Sequence, residues 1–507
     1  MLTGLIKSFT CLLFFILLWL SPAFRNTITR YFNHIENFLT KNKRIVIIIT
    51  FGLYIVITIL LQFYHSIDGD ETQAWLIARD SGSLWKMYSL MGYEGSPGLW
   101  HTLLFPLARS GVPFQVIYLL NHLFAITAIF LWLRFAPFPL FILILFPFIH
   151  IFLTEYSINA RSYALSICLL FTALTLYKYS YNKWLLWSFV FLLFANTNIP
   201  SALLTCGFAL FLFLSRVFLK NKIHGKALVV IGTGIMLAVI QVYPSNDLAR
   251  ELSEFKLQIT SGDKIIASMI TGAPSLSILI YLAILSQVIV SFKNRFLLYG
   301  FLSAQIALFS FFLFKYHGDL RHHFFLILSI LMFLWIDDIK ENKKKVTYLF
   351  LFSMLILMIP TAGRIAINKI KNYSEYVQEM AYFINNDIHP DSTAFIACHP
   401  GNISVGILPY MSIKSIYMPD SRMWGSYVTW NQQRESNIFN PGIVQNITDL
   451  SKDHPGYKNY YYLTIHEVPA DSVKYYHIEL LKKTTSQYLI SMGSEWQTYY
   501  LYKLPGK

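Results

Sequence analysis

The sequence predicts a polytopic α-helical membrane protein that carries a small α/β domain at its C-terminal end. Hydrophobic residues make up 55% of its 507 residues and charged residues only 13%, whereas roughly a quarter of an ordinary soluble domain is charged. The apolar residues fall in runs that are long enough, or nearly so, to cross a hydrocarbon core about 30 Å thick. A bilayer is therefore the expected solvent for most of the chain.

These apolar runs predict about 11–12 transmembrane helices. They start near residues 8, 45, 114, 138, 162, 184, 199, 227, 276, 296, 323 and 346. The run at 8–23 could be a signal peptide, but it lacks a clean small-residue cleavage site, and we interpret it as a retained span or an interfacial helix. We expect a transmembrane domain at residues 1–360 and a C-terminal domain at residues 361–507.

The net charge of +14 could indicate a nucleic-acid partner, but its distribution indicates membrane topology instead. Residues 1–360 carry 28 Lys and Arg against 15 Asp and Glu, while the remaining residues carry 13 against 12. The excess positive charge therefore lies in the loops between spans. We expect no nucleic acid as a partner.

The basic loops predict which side of the membrane each connection faces. Lys and Arg cluster before the second span and then in every second connection, at 178–183, 220–226, 293–295 and 340–345. The positive-inside rule makes these connections cytoplasmic. By alternation the outer connections are 65–113, 154–161, 244–275, 315–322 and the whole segment after 361. Cys398 is the only cysteine of that segment, which favours a bacterial inner membrane with the C-terminal domain on the periplasmic or extracellular side.

The C-terminal segment has the pattern of an α/β domain. A helical pattern covers 374–388, and short β-like runs follow in TAFIAC, KSIYM and YYYLTI. Its balanced charge and its aromatic content suit a cap that rests on the outer membrane face, and a purely structural role is the alternative.

The first predicted outer loop, 65–113, begins with three carboxylates within four residues, Asp68, Asp70 and Glu71. A carboxylate held at the membrane boundary can act as a general base on a hydroxyl or an amine. The alternative is a solvated loop in which Asp70 caps the helix that follows. Charge alone leaves both interpretations open.

The same loop ends with GYEGSPGLWHTLLFPLARSG, a Gly/Pro turn followed by an amphipathic run that predicts an interfacial helix. This helix would bring Glu94 toward the bilayer surface, with His101 and Arg109 on or after it. We treat Glu94 and His101 as candidate substrate contacts. An interfacial histidine with no special task is the alternative for His101.

Two further outer turns carry basic residues. Glu155 and Arg161 bracket a tight turn, where Arg161 could pair with Glu155 or bind the phosphate of a lipid headgroup. Lys315, His317, Arg321, His322 and His323 begin a later span and could hold an anion. Adjacent histidines on a helix point in different directions, and no HExxH spacing accompanies them, so we expect no metal site. A divalent cation is not indicated, and we expect no other cofactor.

The order of these elements resembles the GT-C superfamily of polyprenol-phosphate-dependent glycosyltransferases. It is similar to the protein O-mannosyltransferases and the lipid A aminoarabinose transferase in its outer Asp-Glu loop, interfacial helix, many spans and outer C-terminal domain. The stretch from Glu94 to Trp100 departs from the Glu-Gly-His-Pro-Pro-Leu-Trp of bacterial relatives. The resemblance covers most of the chain in its topology, but the matching motifs are short.

The resemblance implies an inverting transfer from a polyprenyl-phosphate-linked sugar to a lipid, glycan or protein acceptor on the outer face. Asp70 with Glu71 matches the acidic pair of the first loop, and Asp70 would be the general base. Arg161 with Tyr163 matches the arginine near the donor phosphate, and Arg321 matches by position alone. The alternatives are a transporter or flippase of lipid-linked saccharides, a polymerase or ligase, and a non-enzymatic assembly protein.

Overall fold

Helices make up most of the protein in a computed structural model, which describes residues 13–14, 16–18, 20–67, 69–250, 254, 274–337, 341–438, 450, 452–490 and 493–505. In chain order the described α-helices are α1 (Pro22–Lys41), α2 (Lys43–Phe63), α3 (Gly69–Asp80), α4 (Leu84–Glu94), α5 (Leu99–Arg109), α6 (Val116–Phe135), α7 (Leu140–Leu145), α8 (Ser162–Tyr179), α9 (Trp184–Ala195), α10 (Ile199–Phe218), α11 (Lys222–Gln241), α12 (Pro274–Ser291), α13 (Arg295–Phe314), α14 (Leu320–His323), α15 (Phe325–Ile336), α16 (Glu341–Lys371), α17 (Tyr376–Phe383), α18 (Asn402–Ile407), α19 (Gln432–Ile438) and α20 (Ala470–Tyr475).

Seven helices within these described ranges are long and apolar enough to cross a membrane. Six of them are α2, α6, α8, α10, α11 and α13, and the seventh begins in α16. Shorter apolar helices occupy Trp184–Ala195, Ile280–Ser291 and Leu320–Ile336, where further spans are predicted. A helical protein with several membrane-spanning candidates is thus confirmed, while the total of 11–12 spans stays a prediction. Residues 8–12, 15 and 19 of the run at 8–23 lie outside the described residues.

The run that starts near residue 138 does not form one continuous helix. It folds as α7, a 3₁₀ turn at Phe146–Phe148 and a π-helix at Ile151–Tyr156. Pro147 lies in the 3₁₀ turn, and a proline cannot donate the backbone hydrogen bond that would continue the α-helix. The apolar composition predicts a span at this place, but it does not reveal the break in the helix.

The first of two compact units contains Met1–Phe63, Tyr118–Ile240 and Glu254–Ile367, and hence most of the apolar helices. Its core is strongly aromatic. The fully buried Trp132 has its ring centroid 4.3 Å from Phe146, 5.3 Å from Phe171 and 5.8 Å from Trp335. Aromatic rings at such separations contribute packing beyond the area that they bury.

The second compact unit combines three stretches of chain, Tyr64–Ile117, Gln241–Ser253 and Asn368–Lys507. The last stretch contains a six-stranded sheet, in the order β3-β2-β1-β4-β6-β5. The strands are β1 (Ala394–His399), β2 (Ile416–Met418), β3 (Met423–Gly425), β4 (Asn459–Thr464), β5 (Glu479–Ile490) and β6 (Gly493–Leu504). Strands β2, β1 and β4 are parallel, whereas β3 and β6 run antiparallel to their neighbours.

The predicted α/β pattern of this C-terminal segment is confirmed. The helical pattern at 374–388 corresponds to α17 and a π-helix at Ile384–Ile388, and the three β-like runs correspond to β1, β2 and β4. Residues Phe395 to His399 of β1 are all buried, as expected for a parallel strand covered on both faces. The antiparallel pair β5 and β6 is not among the strands predicted from the sequence.

Hydrogen bonds between distant segments join the three stretches of the second unit. Leu248 forms an isolated antiparallel bridge with Asn431, and the Ala249 N–H donates to the carbonyl oxygen of Trp430 over 3.1 Å. The Tyr93 hydroxyl donates to the Asp247 carboxylate. The segment that carries Trp430 is therefore held by a connection far away in the sequence.

Candidate functional site

Helix α3 places the acidic residues of the first predicted outer loop at its N-terminus. Asp70 and Glu71 lie in its first turn, where backbone N–H groups and the helix dipole stabilise carboxylates. Asp70 is exposed, whereas Glu71 has no exposed surface. The two adjacent acids therefore have different surroundings. Asp68, the third predicted acid, lies outside the described residues.

A pocket of about 300 Å³ lies at the start of α3, within the second unit. Residues of the first predicted outer loop and of the C-terminal segment line it together. Its polar and aromatic lining residues are Asp70, Gln73, Glu94, Tyr376, Asn402, Trp430 and Tyr499. Lys, Arg and His do not occur among the described residues of this lining. The pocket is consequently acidic and rich in groups that hydrogen-bond hydroxyls or amines.

Gln73 connects the two sides of this pocket. Its Nε2 donates to Glu94 Oε1 over 2.8 Å and to the Val428 carbonyl oxygen over 2.7 Å. The Val428 N–H donates in return to Gln73 Oε1 over 3.0 Å. The side-chain amide thus pairs with one backbone residue as a strand would. It also orients the carboxylate of Glu94.

Glu71 forms a buried hydrogen bond with His65 and does not line the pocket. Its Oε2 lies 2.9 Å from His65 Nε2, and both side chains are almost completely buried. Burial raises the pKa of the Tyr410 hydroxyl, and the nearby charge of Glu71 raises it further. Glu71 therefore lies among groups of the interior, and Asp70 is the acid of this pair that a ligand in the pocket can reach.

Glu94 reaches the pocket from the end of α4. Gly95 follows it in the left-handed conformation at φ 60°, which a glycine adopts without strain at the end of a helix. The turn then leads into α5, so the helix predicted after the Gly/Pro turn is present. His101 is buried on α5 and does not line the pocket, and Arg109 Nε donates to the carbonyl oxygen of Arg79.

Tyr163 and His322 are in contact within the first unit. The Asp319 backbone N–H donates to His322 Nδ1 over 2.9 Å, so this nitrogen is an acceptor. The neutral imidazole then carries its proton on Nε2. Nε2 lies 2.6 Å from the Tyr163 hydroxyl and donates to it. The hydroxyl proton of Tyr163 therefore points to an acceptor other than His322.

Arg161 and Arg321 lie near this Tyr–His pair. The guanidinium of Arg161 is 5.6 Å from the centre of the Tyr163 ring, and Arg321 lies 3.2 Å from the largely exposed carboxylate of Asp319. Burial is the main cause that raises the pKa of Tyr316, and both guanidiniums counteract it. Two predicted anion-binding residues from distant segments thus lie close enough to Tyr316 for both of their charges to act on its hydroxyl.

The remaining predicted residues make local contacts. Glu155 accepts a hydrogen bond from Asn159 Nδ2 over 2.9 Å, and His323 Nε2 lies 2.7 Å from the carbonyl oxygen of His317. His322 and His323 do point to different partners, as expected for neighbours on a helix.

Sequence reasoning therefore identified members of two clusters, one in each unit. The structure brings Asp70 and Glu94 together in the pocket, and it brings Tyr163, His322 and the two arginines together in the first unit. Sequence reasoning missed Gln73, Asn402 and Trp430. The nearest signal for Gln73 was its position one turn after Asp70, on the same face of a short helix.

No family model matches this chain, and no curated protein matches it.

Proposed function

We propose that the protein is an integral membrane glycosyltransferase that moves a sugar from a polyprenyl-phosphate donor to an acceptor on the outer face of the membrane. The acidic pocket of the second unit is the observation that supports this proposal most. It combines an exposed carboxylate, Asp70, with amides and aromatic rings, in a chain with few acids. Such a pocket suits an acceptor hydroxyl or amine that must lose a proton.

In the proposed reaction, the acceptor oxygen or nitrogen attacks the anomeric carbon of the donor sugar. Asp70 accepts the proton of this nucleophile as the new bond forms. The bond between the anomeric carbon and the phosphate oxygen breaks, and the polyprenyl phosphate leaves with the electron pair. Attack opposite the leaving group inverts the anomeric configuration.

The arginine cluster of the first unit supports the proposed departure of the phosphate. Arg161 and Arg321 carry permanent charge, and a guanidinium matches phosphate oxygens with two parallel hydrogen bonds. Fixed positive groups that stabilise charge developing in the transition state usually contribute most to catalysis. Tyr163, which is in contact with His322, packs beside Arg161.

Reconstitution in lipid vesicles tests the proposal. Radiolabelled polyprenyl-phosphate sugars are supplied with a cell-envelope extract as the acceptor source, and loss of label from the donor lipid is measured. We expect the wild type to consume the donor and Asp70→Asn to consume it about 10²–10⁴-fold more slowly. Asp80→Asn is the matched control, since Asp80 ends the same helix, pairs with Arg79 and does not line the pocket.

Three other outcomes would change the proposal. Undiminished transfer by Asp70→Asn would contradict the role of Asp70. An intact donor that nevertheless crosses the vesicle membrane would support a transporter or flippase. Repeated addition of saccharide units that is independent of Asp70 would support a polymerase or ligase.

A further inference from the structure

The wall of the pocket that comes from the C-terminal segment has the composition of a sugar-binding surface. Trp430 and Tyr376 contribute aromatic rings, and Asn402 contributes an amide. The first predicted outer loop contributes the carboxylates of Asp70 and Glu94. Carboxylates and amides bind the hydroxyls of a sugar, while an aromatic ring packs against its apolar C–H face.

A buried ion pair holds this wall in position. The carboxylate of Asp420 is fully buried and lies 3.1 Å from Arg434 Nε. The same carboxylate accepts the backbone N–H groups of Gly401, over 3.0 Å, and Ser421, over 2.9 Å. Arg434 is only 3% exposed, so protein groups surround the pair on several sides.

Arg434 contacts both Asn402 and Trp430 and so restricts the positions of their side chains. Its guanidinium carbon lies 4.3 Å from the centre of the Trp430 ring and covers one face of that ring. Its Nη2 donates to Asn402 Oδ1 over 3.3 Å. Because the amide oxygen of Asn402 is engaged in this way, Nδ2 is the group that can donate to a ligand. Trp430 can meet a ligand with its other face or its edge.

The size and charge of the pocket restrict its ligand. A volume of about 300 Å³ lies at the lower end of the range for small-molecule pockets, about 300–1,000 Å³, which suits one sugar ring. Two carboxylates line the pocket, and its described lining residues include no Lys, Arg or His. An anionic sugar is therefore disfavoured because its charge would be repelled. The carboxylates favour a neutral sugar, whose hydroxyls donate to them, or an amino sugar, whose charge they neutralise.

We propose that this pocket binds one ring of a neutral or amino sugar, and that this ring belongs to the acceptor. Trp430 is the stacking platform, Asn402 is a hydroxyl ligand, and Arg434 with Asp420 are positioning residues. The assignment of the ring to the acceptor depends on the proposed glycosyltransferase function, whereas the binding of the ring does not. A glycan or a glycolipid therefore becomes the acceptor class.

Direct binding tests this proposal without any donor. The full-length protein, in a detergent without a sugar headgroup, is titrated with methyl hexosides, methyl 2-amino-hexosides, a glycolipid headgroup and an N-acetylated tripeptide, and saturation-transfer NMR reports binding. We expect one or more glycosides to bind and the peptide not to bind. Trp430→Ala should weaken binding about tenfold or more, corresponding to a stacking contribution of about 1.4 kcal/mol.

The control is Trp85→Ala, because Trp85 belongs to the same unit and is 84% exposed. Trp430→Phe retains a ring and should retain part of the affinity, which covers the possibility that the alanine variant fails to fold.

Arg434→Lys keeps the charge but loses the planar group over Trp430, and in the transfer assay it should raise the acceptor KM with little change in kcat. A purely structural role would lower kcat and the thermal stability together.

The outcomes separate the two proposals. Glycoside binding that depends on Trp430, without any donor consumption, keeps the sugar site and rejects the transferase. Donor consumption with an acceptor KM unaffected by Trp430→Ala, and no glycoside binding, rejects the sugar site alone. Binding of the peptide in place of glycosides also overturns the sugar site.

Discussion

The side-chain amide of Gln73 joins helix α3 of the first predicted outer loop to the C-terminal segment. It makes three hydrogen bonds, two to the backbone of Val428 and one to Glu94. Truncation of this amide leaves the buried Val428 groups unsatisfied, which costs about 1–3 kcal/mol for each group. The position of Glu94 would also become less restricted.

We predict that Gln73→Ala lowers the thermal stability of the purified protein and weakens any activity that depends on Asp70. Differential scanning fluorimetry in detergent measures the change. Gln433→Ala, an exposed position on α19, is the control and should leave the apparent Tm nearly unchanged. Equal apparent Tm values for the two variants would show that the bridge has little energetic weight.

His399 at the end of β1 should make the stability of the folded protein depend on pH. Burial lowers its pKa below the ordinary value of about 6.5, although the Asp420 carboxylate opposes this effect and His466 and Arg434 reinforce it. A lowered pKa means that the folded protein favours the neutral form of this histidine. Its contribution to stability is present above about pH 6.5 and is lost as the pH falls toward the folded pKa.

We therefore predict that the wild type loses thermal stability between about pH 7 and pH 5, and that His399→Gln loses less over the same interval. The comparison between the two proteins removes the contribution of other titrating groups. Parallel Tm profiles for wild type and variant would contradict the prediction.

At the scale of elements, helices α10 and α13 pack through a reciprocal glycine contact. A Cβ added at Gly207 would lie 2.6 Å from the carbonyl oxygen of Gly300, and a Cβ added at Gly300 would lie 2.6 Å from that of Gly207. Small residues allow helix backbones to approach closely, which is a common basis of helix association in membranes.

Gly207→Ala should accordingly separate the two helices and lower the apparent Tm. Gly232→Ala on α11 is the matched control, because nothing lies within 4 Å of its added Cβ. At that position alanine should be neutral or stabilising, since it favours a helix by up to about 1 kcal/mol over glycine. If both variants melt at the same temperature, the close contact does not stabilise the protein.

Long apolar helices such as α2 and α13 could be predicted from the sequence because the bilayer thickness requires about 20 apolar residues for each span. The break at 146–156 could not, because the apolar composition continues through it and the local effect of Pro147 decides the backbone geometry. Strands β5 and β6 combine polar and apolar residues, and β6 pairs on its other edge with β4, which comes earlier in the chain.

The candidate site could be predicted only in part for a related reason. Asp70 and Arg161 stand out because charges are rare near membrane spans. Gln73, Asn402 and Trp430 carry no such signal, and they acquire a role only through partners distant in the sequence. The Gln73 partner Val428 is 355 residues away, a separation over which local periodicity carries no information.

At the scale of the whole molecule, sidedness is the main untested prediction. The distribution of Lys and Arg predicts that the connection near Lys222 is cytoplasmic and that the C-terminal domain with Lys474 is outside. Both side chains are exposed. In a chain whose four native cysteines are replaced by serine, Lys474→Cys should react with an impermeant maleimide in intact cells. Lys222→Cys should react only after permeabilisation, and the reverse pattern would refute the orientation.

The most direct test of the central claim is the rate of sugar release from a bound polyprenyl-phosphate donor in a single turnover, at saturating acceptor. General base catalysis contributes about 10²–10⁴-fold to such a step, so Asp70→Asn should slow release by about that factor. Asp80→Asn, at the other end of the same helix, should release sugar at the wild-type rate. Equal rates for Asp70→Asn and Asp80→Asn would contradict the assignment of Asp70 as the base.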